Sequence, residues 1–375
     1  MCTAFHSAKT VLQTRLENQL TDLQMRYLFH LLAIVASFAL LFAAYGGHVD
    51  PTVWTLPSLA TLALPVVAIV VLVLLALLLL LKQWRFALII LGALFLSWPV
   101  LRLNVPLNLT HNEADSSKHQ FKVLTMNVTE FNWQDRTTPN KSMRYILDEE
   151  ADIVVIQEGL VYFSFEKLPT VKPMLDELYH KYPYRMKPYY DVGIMSKYPF
   201  VEVQSPALAQ DSLSYFIKAW DVEMPDGKNL RVVSMHLSSL RFNSNETSVL
   251  ETIDNPSGRK ARLQAVSRKL DDGFQTHARQ ARAMRQLIDE TTGDLLVMGD
   301  MNDTPGSFAY RTVCGDDLRD AWAEAGFGPI HTFHDHHMFV KIDHILYRGD
   351  MTVLSCRCDK AGESDHYPMV ATLER

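Results

Sequence analysis

Apolar positions fall into two regimes along the chain. Up to about residue 103 they form long unbroken runs, and beyond it they come in short bursts separated by turn clusters. Residues 27–47 and 58–81 contain no Asp, Glu, Lys or Arg, and each is long enough to cross a hydrocarbon core of about 30 Å as a helix. The second run is apolar on every face, which argues against a helix buried in a soluble domain, and Pro65 within it is tolerable in a membrane helix. A third run, 86–101, is shorter and bracketed by Arg85 and Arg102, so it is the less marked span of an expected three. The runs start too far into the chain, and are too long and too many, for a cleaved signal peptide.

In the second regime, apolar bursts of strand length with β-branched or aromatic content occur at 121–128, 153–157, 192–196, 216–222, 230–237, 295–299, 342–347 and 369–373. Helical periodicity is clearest at 142–150, 173–182 and 278–290. The order is mixed rather than strictly alternating, which predicts an α/β domain of largely antiparallel sheets covered by helices. No internal repeat or low-complexity tract is visible. The expected organisation is a cytoplasmic tail (1–26), an all-α membrane segment of about three helices (27–103), a polar linker (104–120) and a soluble domain (121–375).

Charge adds orientation. Lys9, Arg15 and Arg26 precede the first span, the following loop 46–56 has no Lys or Arg, and Lys82 and Arg85 follow the second span. By the positive-inside rule the amino terminus and the 82–85 turn lie in the cytoplasm. A third crossing then delivers the soluble domain to the far side of a bacterial inner membrane; a merely interfacial third run leaves it in the cytoplasm. Six of the 36 Lys/Arg and three of the 42 Asp/Glu fall in residues 1–103, leaving 30 and 39 for the remainder and a formal charge of −9 there. That is not the footprint of a tight, non-specific nucleic-acid binder. Cys2 lies in the tail, and Cys314, Cys356 and Cys358 are an odd number that suggests no pairing.

Candidate chemistry sits at the ends of the strands. Asn127 closes VLTMNV, Glu158 follows VVIQ, His236 closes VVSMH, and Asp300 and Asn302 stand in GDMNDTP after LLVM. Asp343 opens DHILY within an apolar surround, where a carboxylate needs a partner, and Asp365 and His366 precede the last strand. Each alone is a solvated turn or a satisfied core residue; together they are a set of oxygen and imidazole groups suited to a hard cation and a phosphate.

These motifs, TMNV, IQEG, DVGIMSKYP, MHLSS, GDMNDTP, IDHILY and SDHYP in that order, resemble those of the endonuclease/exonuclease/phosphatase superfamily, which groups deoxyribonucleases, abasic-site endonucleases, inositol polyphosphate phosphatases and neutral sphingomyelinases. GDMNDTPGSFAYRTV with DAWAEAGFG is similar to a membrane-anchored bacterial branch. The resemblance, from about residue 120 onward, implies a four-layer α/β/β/α sandwich with one metal-bearing cleft. It implies Mg²⁺ or Mn²⁺ held chiefly by Glu158, with Asn127 contributing to metal or phosphate and Asp365 supporting the metal region. Asp300 and Asn302 position the attacking water and a phosphate oxygen, His236 donates to the phosphoryl group, and Asp343 orients His366. Whether His366 or Asp300 takes the proton of the water stays open.

Three features fall outside that set. The cluster His331, His334, His336 and His337 lacks the spacing of a closed zinc site and reads as a polar loop. His344 alternates to the face of its strand opposite Asp343. The basic stretch 259–285 reads as a solvated helical face, with Arg279 and Arg282, taken to open the helix before GDMND, the two residues expected to reach substrate. The function expected is a membrane-anchored, metal-dependent phosphohydrolase acting on a phosphodiester or phosphomonoester, with a lipid or lipid-linked substrate favoured by the tether. The alternatives are an extracytoplasmic nuclease and a catalytically inactive, membrane-tethered binding module. No protein partner follows from the sequence.

Overall fold

A computed structural model describes residues 2–110, 112–132, 140–159, 170–186, 191–208, 216–239, 256–335 and 339–375. The apolar runs form α1 (Cys2–Tyr45), α2 (Leu56–Leu62), α3 (Leu64–Leu80) and α4 (Trp84–Asn104). Gln24–His48 and Trp84–Asn104 are each long and apolar enough to cross a membrane, and α2 with α3 makes a third if that pair is one span. The run 58–81 is thus not one straight helix. It bends by 64° at Ala63, where Pro65, which has no N–H to donate, begins a new helix instead of continuing the old one. The run 86–101, expected to be the less marked span, lies in a continuous 21-residue helix.

The rings of Phe29 and His30 meet Phe86 (centroids 6.3 and 5.8 Å), while the Tyr45 hydroxyl donates to the Leu96 carbonyl at 2.6 Å. Both contacts hold only if α1 and α4 run parallel, so α2 and α3 carry the chain back between them. Buried Ala33, Ala43, Ala44, Ala87 and Ala93 let these backbones approach closely, whereas Phe38, Val66, Leu80 and Phe95 project outward.

The remaining chain builds two six-stranded sheets. The first has the order β11-β12-β1-β2-β4-β3 and the second β5-β6-β7-β8-β10-β9. Its strands are β1 (Gln120–Asn127), β2 (Ile153–Gln157), β3 (Tyr184–Arg185), β4 (Gly193–Ser196), β11 (Thr352–Cys358) and β12 (Met369–Glu374). The second contains β5 (Phe200–Val203), β6 (Ile217–Glu223), β7 (Asn229–His236), β8 (Leu295–Asp300), β9 (Arg319–Asp320) and β10 (Asp343–Arg348). In each sheet the third and fourth strands in order, β1 with β2 and β7 with β8, are parallel and every other pair is antiparallel. The two sheets therefore share one pairing pattern without sharing sequence, although the pair beside the first parallel strand comes last along the chain in the first sheet and first in the second.

Alternation along the strands makes the layers. Val123, Val155, Trp220, Val232, Met298 and Ile345 meet between the two sheets. Leu124, Val154 and Ile156 face α5 (Lys141–Glu149) and α6 (Lys172–Lys181) on one outer side. Val233, Val297 and Leu346 face α7 (Pro256–Glu290) and α8 (Phe308–Cys314) on the other. The result is an α/β/β/α sandwich. The helix expected to open at 278 begins at 256, so Arg279 and Arg282 lie in its body. A last short helix, α9 (Ala321–Ala325), is capped by Asp320.

The two parts of the chain are packed together. Gly47, just past α1, lies so close to the backbone of Gly306 and Ser307 that a Cβ would sit 1.9 Å from the Gly306 carbonyl oxygen. Gly306 in turn meets Val100 of α4, and Leu103 packs against the core under α7 and α8. In the 46–55 loop, Asp50 forms an ion pair with Arg282, and Thr55 bonds Asp271. The stretch expected to be a linker is bonded along the domain: Gly328 N–H donates to the Pro106 carbonyl (2.8 Å), Asn108 donates to those of Ala323 and Gly326, and Asn112 donates to that of Val353.

Candidate active site

The carboxyl ends of β1, β2, β7 and β8 and the first residue of β10 converge at one edge of the sandwich, where ligands of parallel strands are ordinarily bound. Strand register places His236 beside Asp300 and Asp300 beside Asp343, so three groups from three adjacent strands form one row. Asn127 and Glu158 face that row from the other sheet. Local backbone makes the approach possible. At Gly299 (φ 133°) a Cβ would lie 2.1 Å from the Met235 carbonyl oxygen, so only glycine lets β8 reach β7 there. Asn302 (φ 51°) and Glu158 (φ 55°) are left-handed; Asn tolerates this, whereas for Glu it is a strain of the kind that collects at functional sites.

Asp300 is the hub. Its Oδ2 accepts from Asn127 Nδ2 (3.2 Å) and Asn302 Nδ2 (3.1 Å), its Oδ1 accepts from Asn302 N–H (2.7 Å), and its Oδ2 lies 3.7 Å from Nε2 of both His236 and His366. Each histidine is backed by an acid: Nδ1 of His366 meets Asp343 at 2.8 Å, and Nδ1 of His236 meets Asp191. Two His–Asp pairs thus flank one buried carboxylate. Glu158 Oε1 accepts from the same Asn127 Nδ2 (3.0 Å) and stands 3.7 Å from His236. Asp365 is held by Thr129, whose N–H donates to Asn127 Oδ1.

The charges follow from these contacts. Burial works against a positive His236, but the bond to Asp191 and the fields of Asp300, Asp191 and Glu158 outweigh it and raise its pKa to about 9. Burial likewise opposes charge on His366, and Asp343 and Asp300 overcome it, raising it to about 10. Asp300 is pushed up by burial and by Asp343, with the two histidines pulling the other way, to about 6. Burial opposes charge on Asp343 too, yet His366 keeps its carboxyl below the ordinary range.

The donors fit a hard divalent cation. Asn127 Nδ2 bridges Glu158 and Asp300, so two carboxylates converge on one point, and among the described residues Asp343 Oδ1 is buried without a hydrogen-bond partner. Among the described residues, ligand atoms of Asp300, Asp343 and His366 also lie within 4.8 Å of one another. Asp300 therefore belongs both to that group and to the pair of carboxylates that Asn127 bridges.

Of the residues singled out in the sequence, Asn127, Glu158, His236, Asp300, Asn302, Asp343, Asp365 and His366 are brought together. Arg279 and Arg282 are not: Arg279 donates to Thr276 on its own helix, and Arg282 is paired with Asp50 over the ring of Phe308. Asp191 is not legible in the sequence even though DVGIMS is a motif, because an Asp before a strand reads as a turn residue. His277 is not legible either, inside the basic helix. It is buried, its ring meets the Ser238 carbonyl (2.6 Å) and Asp303 (3.3 Å), and so it ties the strand end after His236 to the turn after Asp300. In the histidine cluster, His334 stacks on Tyr367 and His331 packs against Phe339; His336 and His337 lie outside the described residues. His344 is buried beside Lys341 and Asp320, away from the cleft.

A family model described as the endonuclease/exonuclease/phosphatase family matches residues 132–366, more than half of the chain. The chain belongs to this family. Its members are phosphoric ester hydrolases and generally use a divalent metal. A second model, a domain of unknown function, matches residues 26–103, the helical part. No curated protein matches the chain. Solved structures similar to it include a humanized zebrafish (D. rerio) TDP2, with 15% identity over 68% of this chain and 98% of that one and a TM-score of 0.44. A family protein from Bacteroides thetaiotaomicron is similar at 13% identity, 68% and 98% coverage and a TM-score of 0.44. The human Nocturnin catalytic domain is similar at 16%, 68% and 97%, with a TM-score of 0.42.

Proposed function

We propose that this family member is a divalent-metal-dependent phosphohydrolase, held in a membrane by α1, α2–α3 and α4, that cleaves phosphate esters by in-line attack of water. The observation that carries the reading is the pair of His–Asp couples on either side of Asp300. Phosphate esters resist attack because their negative charge repels the nucleophile, and a site must neutralise that charge before water can enter. His236 and His366, both held protonated at neutral pH, supply fixed positive charge toward the phosphoryl oxygens. Asp300, whose pKa is raised towards neutrality, is suited to take the proton of the water. Asn302 fixes the Asp300 carboxylate through two hydrogen bonds. Glu158 would be the chief holder of Mg²⁺ or Mn²⁺, with Asn127 beside it and Asp365 supporting the region. The metal, when bound, supplies Lewis-acid polarisation of the phosphate.

A membrane-derived phosphodiester is the favoured substrate because the Gly306–Ser307 turn, four residues beyond Asn302, rests directly on Gly47 and Val100 at the ends of the membrane helices. One observation favours nucleic acid instead: Phe339 is 63% exposed and, with His331, Tyr367 and His334, forms an aromatic row beside His366 on which bases can stack.

The test is hydrolysis by full-length protein in detergent, with Mg²⁺ or EDTA, of bis-p-nitrophenyl phosphate, p-nitrophenyl phosphate, phospholipids and DNA. Asp300→Asn should lower turnover on the order of 10³-fold while leaving the fold intact. The rank of substrates separates lipid from nucleic acid. Metal-independent turnover, or an Asp300→Asn protein as active as the parent, would sink the proposal.

A further inference from the structure

Where the last turn of α4 meets α8 and β9, a cleft of about 220 Å³ opens, lined by Arg102, Leu103, Tyr310, Arg311, Arg319 and Glu324 among others. It lies away from the catalytic row. β9 pairs with Leu346 and Tyr347 of β10, three to four residues past Asp343. Arg319 is fixed in place, donating to the carbonyls of Gly349 (3.3 Å) and Met351 (2.8 Å) with its guanidinium 4.4 Å from the centre of the Tyr347 ring. Arg102 and Arg311 are exposed, and neither guanidinium has an ion-pair or hydrogen-bond partner among the described residues. The acids nearby do not offset them. Asp320 is buried against Lys341 (2.9 Å) and Tyr310 (3.0 Å), and Glu324 accepts from the Tyr347 hydroxyl.

The position of the cleft identifies the anion. Arg102 stands in the final turn of an apolar 21-residue helix, at headgroup depth if α4 spans. It is at the opposite end of the bundle from Lys82 and Arg85, on the side where the positive-inside rule leaves few cations. Arginine forks recognise phosphate oxygens two at a time, and Leu103 offers an apolar wall beside them. We propose that this cleft binds the phosphate of an anionic phospholipid from the bilayer that α4 crosses. The proposal rests on the membrane reading of α4 and is independent of the hydrolytic reading.

The experiment uses full-length protein in a zwitterionic detergent with EDTA, so that the catalytic centre carries no metal. Binding of short-chain phosphatidylglycerol, phosphatidylcholine and inorganic phosphate is followed by native mass spectrometry. One phosphatidylglycerol should bind in preference to phosphatidylcholine, and Arg102→Gln/Arg311→Gln should weaken it about tenfold. Lys82→Gln/Arg85→Gln, which removes equal charge from the other end of the bundle, should leave it unchanged. Arg102 and Arg311 have no partner to lose among the described residues, so the double variant should fold and hydrolyse bis-p-nitrophenyl phosphate like the parent. Equal phosphatidylglycerol binding by parent and cleft variant, or equal loss in both double variants, overturns the proposal. Inorganic phosphate that binds as tightly and displaces the lipid overturns the assignment to a membrane source.

Discussion

Asp191 shows what a single side chain adds to this site. An imidazole acts as a directed cation only if its other nitrogen is held, and Asp191 holds His236 as Asp343 holds His366. Asp191→Asn should lower kcat about 10- to 100-fold, with KM little changed, because the ring loses its orientation while the groups facing substrate remain. That loss should be smaller than for Asp300→Asn. An Asp191→Asn enzyme with parental kcat would show that His236 needs no orienting partner. The residues readable from sequence were those whose polarity conflicts with an apolar strand, such as His236 after VVSM and Asp343 before HILY. Asp191 and His277 carry no such conflict: one precedes its strand and the other is hidden in a polar helix.

At the scale of elements, α7 and the 46–55 loop link the helical bundle to the turn after Asp300. Asp271 and Arg282 face the loop, while His277 and Gln280 on the same helix hold Ser238, two residues past His236. The closest contact is between two glycines. Gly47→Ala should destabilise the solubilised protein by about 1–3 kcal/mol and reduce turnover, since its new methyl must displace the backbone of Gly306. Gly92→Ala in α4, where nothing among the described residues lies within 4 Å of the added carbon, should not destabilise the protein and should raise its stability by up to about 1 kcal/mol. Similar effects for both substitutions would deny the contact its importance. Long elements were legible from periodicity. The structure adds β3 and β9 of two residues, β5 on a sheet edge, β11 with its irregular register, and the short α8 and α9. Each is too brief or too irregular to show a period of its own, and pairing or packing with neighbours specifies it.

For the whole molecule, the parallel run of α1 and α4 sets which parts share a side. The 46–55 loop touches the sandwich, so whichever side Val53 faces is the side of the cleft. In cells, a membrane-impermeant maleimide should label Val53→Cys, a position 81% exposed, and should reach Lys82→Cys only after permeabilisation. The opposite pattern would put the cleft in the cytoplasm. Sequence motifs were enough for a two-sheet sandwich with a cleft at strand ends. The shared pairing pattern of its two sheets was invisible, because the same pattern is met by unrelated side chains.

That pairing has a consequence for timing. β12 lies between β11 and β1, so residues 120–127 have no antiparallel partner in their sheet until residues 369–374 exist. During synthesis more than two hundred residues, 128–368, are made between β1 and that partner. For that interval β1 is an open edge, and the nascent domain must be kept from pairing with other chains until its final strand arrives.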